Sequence, residues 1–579
     1  MVPVDPTTVE VIKGALTYAA EEMGVILRNS AYSPNIKERL DFSCTIFDHK
    51  KRLTAQAEHI PVHLGSMQLA VQQGLERLKG GLEDGDMIMF NDPYISGTHL
   101  PDITLICPIF HEGRIIAYSA NKAHHSDVGG KAPGSMAGDA TEIYQEGIII
   151  PPVKFVKKGV IDKEIASILL SNIRTPNIRM GDLRAQIAAN LLGKQRVLEL
   201  VKRYGERTLH VAMEEIMNYS ERRTRIEIGK MPKGSYSAED YLENTGTSNR
   251  KVKIKVTVTI KEKRLIIDYT GTDKQVDGPV NAVLCVTLSG VYYVLRCLTD
   301  PSIPMNAGCY RSVKVKVPKG TLMNPVPPAP VAGGNVETSQ RNVDVLLKAF
   351  AQIVPERVCA ACQGTMNNIA VGGVNPKTDR AWTFYETIAG GFGGRKGMDG
   401  VDAVHTHMTN TMNTPIEAIE TVYPIRFLKY EMRKDSGGPG MWRGGVGLER
   451  SWMLLASSAV LSVLAERTKM PPWGLYGGKP GAKGEYYLIK ANGKRVRLKS
   501  KCTVKMEKGD IFMVRTPGGG GYGKPFERNP ELVFRDVING LVSPESARKD
   551  YGVVIDLKNL KKMKVDWKST KRLRLRRKH

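Results

Sequence analysis

The segment Gly97–Gly130, "GTHLPDITLICPIFHEGRIIAYSANKAHHSDVGG", constrains the fold more than any other stretch of the chain. Two β-rich runs, "ITLICPIF" and "RIIAYSA", flank the short "HEG", a pattern that predicts a β-hairpin. With the turn centred near Glu112, antiparallel partners sum to about 224, so Leu100 faces His124 and Asp102 faces Lys122. Four of the chain's eleven histidines lie in this segment: His99, His111, His124 and His125. The hairpin gathers His99, Asp102 and His124 at its open end and leaves His111 in the turn. Two imidazoles and a carboxylate with open positions form a common donor set for a divalent metal such as Zn, Mn or Fe. Spacing alone leaves two readings open, a metal site or a surface hairpin end with chance polar residues. The flanking "NDPY" and "HHSDVGGKAPGS" are small and loop-forming, which lets backbone approach a ligand closely.

The rest of the composition limits the class. The 579 residues are 41% hydrophobic and 25% charged, the mixture of a globular protein of several units or one intertwined body. No run approaches the ~18 apolar residues of a membrane helix. The most apolar stretch, "NAVLCVTLSGVYYVLRCLTD", is interrupted by Arg296. The start, "MVPVDPTTVE", lacks the basic and apolar regions of a secretion signal. Eight scattered cysteines make no disulfide framework and fit a reducing compartment, so a cytoplasmic location is expected. The net charge is +25, of which residues 558–579, with eleven Lys/Arg and one Asp, supply +10. A basic tail can bind nucleic acid, but no zinc-finger spacing or RNP motif accompanies it, and a solvated tail is the preferred reading.

Periodicity sorts the chain into regions. Thr7 or Thr8 caps a first helix whose stripe is Ile12, Leu16, Ala19, Met23 and Ile26, with Glu22 on its flank. Residues 163–228 read as helical. From Val252 to Ile260 apolar and Lys/Thr residues alternate, a strand with one wet face, and "EKRLIIDYTGT" is its hairpin partner. One helix is expected near Val343–Cys362, and short strands with glycine turns from about Asp435. The expected regions are 1–232 (α/β, with the metal site), 233–430 (central, β-rich and Gly-rich), 431–557 (a β-rich module with a closing helix) and 558–579 (the basic tail). The expected fold class is α+β, a large mixed α/β body with antiparallel sheets and a β-rich C-terminal module.

Long blocks of the chain carry a family resemblance. "FNDPYISGTHLPDITLICPIF", "NKAHHSDVGG", "EIYQEGIIIPPVK", "SPNIKERLDFSCTIFD", "VHTHMTNTMNTPIEAIE", "GGPGMWRGGVGLER", "ERTKMPPWGLYGGKPG" and "TPGGGGYGKPFERNPELVFRDVINGLVSP" resemble the hydantoinase B / oxoprolinase family. The blocks cover nearly the whole chain and leave the basic tail outside. The resemblance implies a metal site at His99, Asp102 and His124, with Asp41 as a fourth ligand. It implies a partner, a hydantoinase A-type ATPase subunit, that binds ATP and phosphorylates the substrate oxygen. The implied protein is the metal-binding B component of an ATP-dependent hydrolase of cyclic amides (hydantoins, 5-oxoproline, lactams), working as a hetero-oligomer. A bound metal would polarise the ring carbonyl or supply hydroxide at neutral pH. The family also includes ketone carboxylase subunits, so ATP-dependent carboxylation is the alternative reaction. A basic nucleic-acid-binding module is the remaining, non-enzymatic alternative.

Other residues take roles around that site. Glu22 and His125 are the candidate catalytic groups, although a helix-edge glutamate is more often a solvated charge. His59, His63 and Asp127 are candidate substrate-binding or supporting residues, with structural hydrogen bonding as the competing reading. His405 and His407 in "VHTHM" suggest a second site or simple packing. Cys359 and Cys362 form a lone CxxC, weak evidence for zinc without a second pair. "GGGGYGK" at Gly518–Lys524 nearly spells a phosphate loop, but Pro525 stands where Ser or Thr should hold magnesium, so a packed turn is expected. "ETIAGGFGGRKG" is read either as an anion cradle or as a tight turn.

Overall fold

The computed structural model describes residues 4–57, 59–557 and 563–576. Helix α1 (Pro6–Ser30) is capped by Asp5, whose carboxylate accepts the Thr8 amide at 2.9 Å, and not by Thr7 or Thr8. Pro6 fills the first turn, where a missing N–H is harmless. The buried stripe is Ile12, Leu16, Ala19, Met23 and Leu27, while Ile26 faces outward.

The short α2 (Pro34–Lys37) leads into a seven-stranded sheet. Its strands are β1 (Phe42–Asp48), β2 (Leu53–Gln56), β3 (Met87–Phe90), β4 (Asp102–His111), β5 (Arg114–His124), β6 (Val153–Lys157) and β7 (Val160–Ile161). The order is β2-β1-β5-β4-β3-β6-β7, antiparallel throughout. The β4–β5 hairpin forms, but its register is displaced by two residues from the simple turn count, so Asp102 faces His124, not Lys122. Two features cause this. The turn is centred between Glu112 and Gly113, both at positive φ, and a bulge follows at Ile109/Phe110.

Both faces of this sheet are covered, which is why every residue of β1 is buried. Helices α3 (Leu64–Glu76), α4 (Lys163–Ser171), α5 (Pro176–Tyr204) and α6 (Glu206–Gly229) follow the chain order. Ile46 and Ala117 pack with α1, α5 and α6, while Phe47, Ile88 and Tyr118 pack with α3. A second sheet has the order β11-β10-β9-β8, from β8 (Gly234–Leu242), β9 (Val252–Lys261), β10 (Arg264–Asp268) and β11 (Val313–Lys316). Strand β9 alternates buried and half-buried residues, as its sequence requires. Helices α7 (Leu284–Leu298) and α8 (Ser339–Phe350) contribute to the same core as the inner face of β9. The helix expected to reach Cys362 stops at Phe350, because Pro355 disfavours helical backbone just before it. Cys359 and Cys362 therefore lie in an extended loop.

The β-rich module draws strands from before residue 431. One sheet holds β12 (Asn368–Asn375), β13 (Arg380–Glu386), β16 (Ser458–Leu464) and β19 (Lys501–Glu507). The other holds β14 (Ile425–Met432), β15 (Leu448–Leu454), β17 (Glu485–Ile489), β18 (Arg495–Arg497) and β20 (Ile511–Arg515), with α9 (Ile416–Val422) leading into β14. Phe384, Leu461, Trp452 and Phe512 fill the space between these sheets. The architecture is thus the expected mixed α+β body with antiparallel sheets.

The C-terminal stretch differs from a solvated tail. After α10 (Pro530–Ile538) and α11 (Pro544–Tyr551), β21 (Ile555–Asp556) pairs with β22 (Lys564–Val565), and α12 (Trp567–Arg576) follows. Val565 joins a cluster with Val533, Tyr551, Val553 and Ile555. Arg574 donates from Nε to the Tyr551 carbonyl at 3.1 Å and from its terminal nitrogen to the Arg528 carbonyl at 2.8 Å. The tail's charges were visible in the sequence, but its single valine and these backbone acceptors decide that residues 563–576 dock. Residues 558–562 and 577–579 lie outside the described residues. Among the described residues, no helix is long and apolar enough to cross a membrane.

Candidate metal centre

The hairpin brings three donor atoms to one point. Asp102 Oδ1 lies 3.2 Å from His99 Nε2 and 3.0 Å from His124 Nδ1, and the two imidazole nitrogens are 3.1 Å apart. His124 is placed by the strand register, since its amide also donates to the Asp41 carbonyl at 3.0 Å. His99 is placed by the turn before β4, where its carbonyl accepts the Asp102 amide. All three are buried, with exposures of 0% for His99, 1% for Asp102 and 2% for His124. The far nitrogens, His99 Nδ1 and His124 Nε2, are buried without a hydrogen-bond partner.

The donor set fits a divalent cation. Converging lone pairs of two neutral imidazoles and a carboxylate repel unless a cation or protons lie between them. Donors about 2.1 Å from a common centre stand about 3.0 Å apart at right angles and about 3.4 Å apart in a tetrahedron. The observed separations of 3.0–3.2 Å lie in this range. Burial alone would raise the Asp102 carboxyl, but His99 and His63 beside it, with hydrogen bonds from His124 and His63, hold it well below the usual carboxylate range. Burial lowers His124, favouring the neutral ring, and a cation at this point would take the place of the proton that His124 Nδ1 shares with Asp102 Oδ1.

The other sequence candidates separate. His63 joins the cluster: its Nε2 lies 3.3 Å from Asp102 Oδ2 and its Nδ1 3.0 Å from the Ser43 hydroxyl. Asp41 is buried nearby and acts electrostatically on His124, yet its carboxylate falls outside the group of converging donors. His125 points elsewhere, with Nε2 2.9 Å from Gln186 Oε1, and burial lowers it to about 4. Asp127 spends both oxygens on structure: Oδ1 accepts the Gly129 and Arg174 amides, and Oδ2 accepts the Gly134 amide and the Arg174 guanidinium. Glu22 is bound through both oxygens by Arg196 on α5, at 2.6 and 3.2 Å. His59 packs edge-on to Phe42 and over Gly24, and borders a cleft of 320 Å³ together with Gln56 and Asn410. Burial, with His63 nearby, lowers it to about 4. His111 is half-exposed and faces Glu206 at 3.3 Å.

Sequence spacing missed several residues of this site. Tyr385 stacks on the His124 ring at 4.7 Å, and the Arg39 guanidinium lies over the Tyr385 ring, 5.1 Å from its centroid. Arg39 also donates to the Tyr385 carbonyl at 2.9 Å. The Thr98 hydroxyl donates to Asp102 Oδ2. Lys122, two residues before His124 on the same strand face, is fully buried, and burial lowers its ammonium to about 8 against the opposing pull of Asp102. Thr98 and Lys122 were within reach of the hairpin argument. Tyr385 was not, because it arrives from β13, far along the chain.

Neither glycine run cradles a phosphate. The amides of Gly518, Gly519, Gly520 and Gly521 donate to the carbonyls of Ala482, Gly445, Ala361 and Lys479. Those of Gly390, Gly391 and Gly394 donate to Val404, Pro517 and Gly520. These glycines are required by close layering of backbones: a Cβ on Gly519 would stand 2.0 Å from the Phe392 carbonyl oxygen. Lys524 leads into a single 3-10 turn at Pro525–Glu527, not an α-helix.

A mixed α+β body that buries two histidines and a carboxylate where a hairpin meets a glycine-layered β module defines the class, a candidate metal-centre protein. The chain belongs to the Hydantoinase B/oxoprolinase family, which its residues 5–525 match. It is 49% identical to an uncharacterized protein of Methanocaldococcus jannaschii over 98% of this chain and 100% of that one. It is 37% identical to the putative B component of a D-/L-hydantoinase of Pseudomonas sp. strain NS671, covering 99% and 98% of the two chains. A 5-oxoprolinase of Dictyostelium discoideum is 37% identical over 90% of this chain, which spans only 40% of that longer protein. Among solved structures, an ATP-dependent caprolactamase from Pseudomonas jessenii superposes with a TM-score of 0.91 at 31% identity, covering 99% of this chain and 100% of that one. A nucleotide-free acetone carboxylase shares the fold, with a TM-score of 0.92 at 22% identity over 99% of this chain and 83% of that one.

Proposed function

We propose that this chain is the metal-binding subunit of an ATP-dependent cyclic-amide hydrolase, acting on a hydantoin, lactam or 5-oxoproline ring that a partner ATPase subunit has phosphorylated. The observation that carries this reading is the convergence of His99 Nε2, Asp102 Oδ1 and His124 Nδ1 within 3.0–3.2 Å. The full-length likeness to a caprolactamase and to a hydantoinase B component supports it. That this chain aligns with 40% of a 5-oxoprolinase is consistent with a separate partner carrying other steps. The consumed amides of both glycine runs also support nucleotide binding elsewhere.

His99, Asp102 and His124 would hold the divalent ion, and two imidazoles with one carboxylate suit Zn²⁺, Mn²⁺ or Fe²⁺. When bound, the ion supplies Lewis acidity toward a ring carbonyl. The protein's own groups prepare the site. Thr98 and His63 occupy Asp102 Oδ2, which aims Oδ1 at the two imidazoles. Ser43 fixes the His63 ring from its other nitrogen, so His63 is a positioning residue. Tyr385 packs one face of His124 and holds its ring plane. Lys122, which donates to the Ser96 carbonyl at 3.4 Å and whose ammonium burial lowers to about 8, adds a buried basic group near Asp102. Burial of the cluster excludes bulk water and strengthens each charge interaction.

The test is to copurify the chain with an A-type ATPase partner and screen ATP turnover over lactams, hydantoins and ketones. His99→Ala and His124→Ala are expected to lose the metal and cut coupled turnover by about 100-fold or more, and His63→Ala to weaken metal binding about 10–100-fold. A metal-free wild type, or full turnover in His124→Ala, overturns the assignment. Bicarbonate-dependent turnover with a ketone would replace hydrolysis by carboxylation.

A further inference from the structure

A second ligand cluster lies apart from the histidine–aspartate centre. Cys359 Sγ, Cys362 Sγ and a ring nitrogen of His407 lie within 4.8 Å of one another, and all three residues are buried. The CxxC is not on a helix. It sits in the extended loop after α8, where the Cys359 backbone forms a β-bridge with Arg395 and the Gly393 amide donates to Cys362 Sγ at 3.3 Å. Burial and the neighbouring Cys359 raise the Cys362 thiol well above its usual range and the Gly393 amide only partly offsets this, so ionising it calls for a bound cation.

His407 supplies an independent sign of a missing partner. Its Nε2 is buried and makes no hydrogen bond, while Nδ1 lies 3.4 Å from the Tyr293 hydroxyl. Asp344 Oδ1, 3.9 Å from that Nε2, is also buried without a hydrogen-bond partner, although Arg467 holds the other oxygen. Two buried polar atoms facing each other without a hydrogen bond are costly unless a cation or a water joins them. A cleft of 350 Å³ lined by Cys359, His407, Cys297 and Phe392 gives access from solvent.

We propose that Cys359, Cys362 and His407 bind a thiophilic divalent ion, Zn²⁺ by preference, with a solvent ligand from the cleft completing the site. Two thiolates and an imidazole select zinc over the hard ions that suit a carboxylate-containing site. The consequence reaches the other centre. His407 begins a strap whose Met408 carbonyl accepts the Val62 amide, whose Asn410 side chain donates to the His59 carbonyl, and whose Met412 amide donates to the Arg39 carbonyl. An ion at His407 therefore pins the segment that abuts His59, His63 and Arg39. The site does not depend on the proposed cyclic-amide chemistry.

The experiment uses the full chain purified under a non-thiol reductant, stripped of metal and loaded with Co²⁺ as the probe. Sulfur-to-cobalt charge-transfer absorption in the near ultraviolet is expected in the wild type and in His99→Ala, to weaken in Cys359→Ser and in Cys362→Ser, and to vanish in the Cys359→Ser/Cys362→Ser double variant. The histidine–aspartate centre has no sulfur and cannot produce this band. If the cysteine variants do not fold, X-ray absorption of the Zn²⁺-loaded wild type serves instead, with sulfur scatterers at about 2.3 Å expected. Absence of the band in the wild type, its survival in the double cysteine variant, or only nitrogen and oxygen around zinc overturns the proposal.

Discussion

At the scale of single residues, tertiary packing sets proton affinities that no residue type announces. Burial raises the Glu146 carboxyl to about 8, and the Val331 and Ala332 amides that donate to it only partly offset this. A carboxyl with a folded pKa above its unfolded value binds its proton more tightly in the folded state. Its contribution is therefore present at low pH and is lost as pH rises from about 4.5 toward 8, on the order of a few kcal/mol. The apparent Tm of the wild type is expected to fall across pH 6–8.5 more steeply than that of Glu146→Gln. Equal slopes would show that Glu146 ionises freely. The slope that remains in the variant belongs to groups such as Glu337, which burial also raises to about 8. The same scale explains which site residues were legible. His99, Asp102 and His124 are donors of the right kind on one hairpin, so their types and order sufficed to anticipate that they meet. Asp127 and Glu22 have the right chemistry too, but Arg174 and Arg196 had already claimed them. Only distances reveal such prior commitments.

At the scale of elements, the β4–β5 hairpin was legible because alternation and a short turn are local. The bulge at Ile109/Phe110 was not, although it decides that Asp102 faces His124 directly. A tighter dependence holds where α3 meets α7. A Cβ on Gly65 would stand 2.3 Å from the Cys285 carbonyl oxygen, and the Gly65 amide donates to the Ser289 hydroxyl at 2.8 Å. Gly65→Ala must push two helix backbones apart, at about 1–3 kcal/mol. Thermal unfolding should show a lower apparent Tm, and metal titration a weaker site, because His63 lies two residues before the strained contact. A variant with wild-type Tm would mean that α7 yields freely. The sequence offers a glycine at that position but not the opposing carbonyl that makes it necessary.

At the scale of the whole molecule, separate stretches of chain complete one another. Tyr385, Arg39 and His124 meet only because the β13 region packs against the hairpin end. The basic C-terminal stretch docks through Val565 and Arg574 instead of standing free. Ending the chain at residue 557 should therefore expose the cluster around Tyr551 and lower the apparent Tm, where a solvated tail would leave it unchanged. Nucleic-acid binding that is salt-sensitive and lost with the same truncation would instead revive the charge-based reading of this segment. The amino-acid sequence alone determined the α+β class, the hairpin, the donor types and the family resemblance, since these rest on local periodicity and on ordered motifs. The tertiary structure alone decided the hairpin register, the recruitment of His63 and Tyr385, the removal of Asp127 and Glu22 from the site, and the meeting of Cys359 and Cys362 with His407. Those outcomes depend on which partner reaches each buried polar atom first, and partners distant in sequence leave no periodic trace.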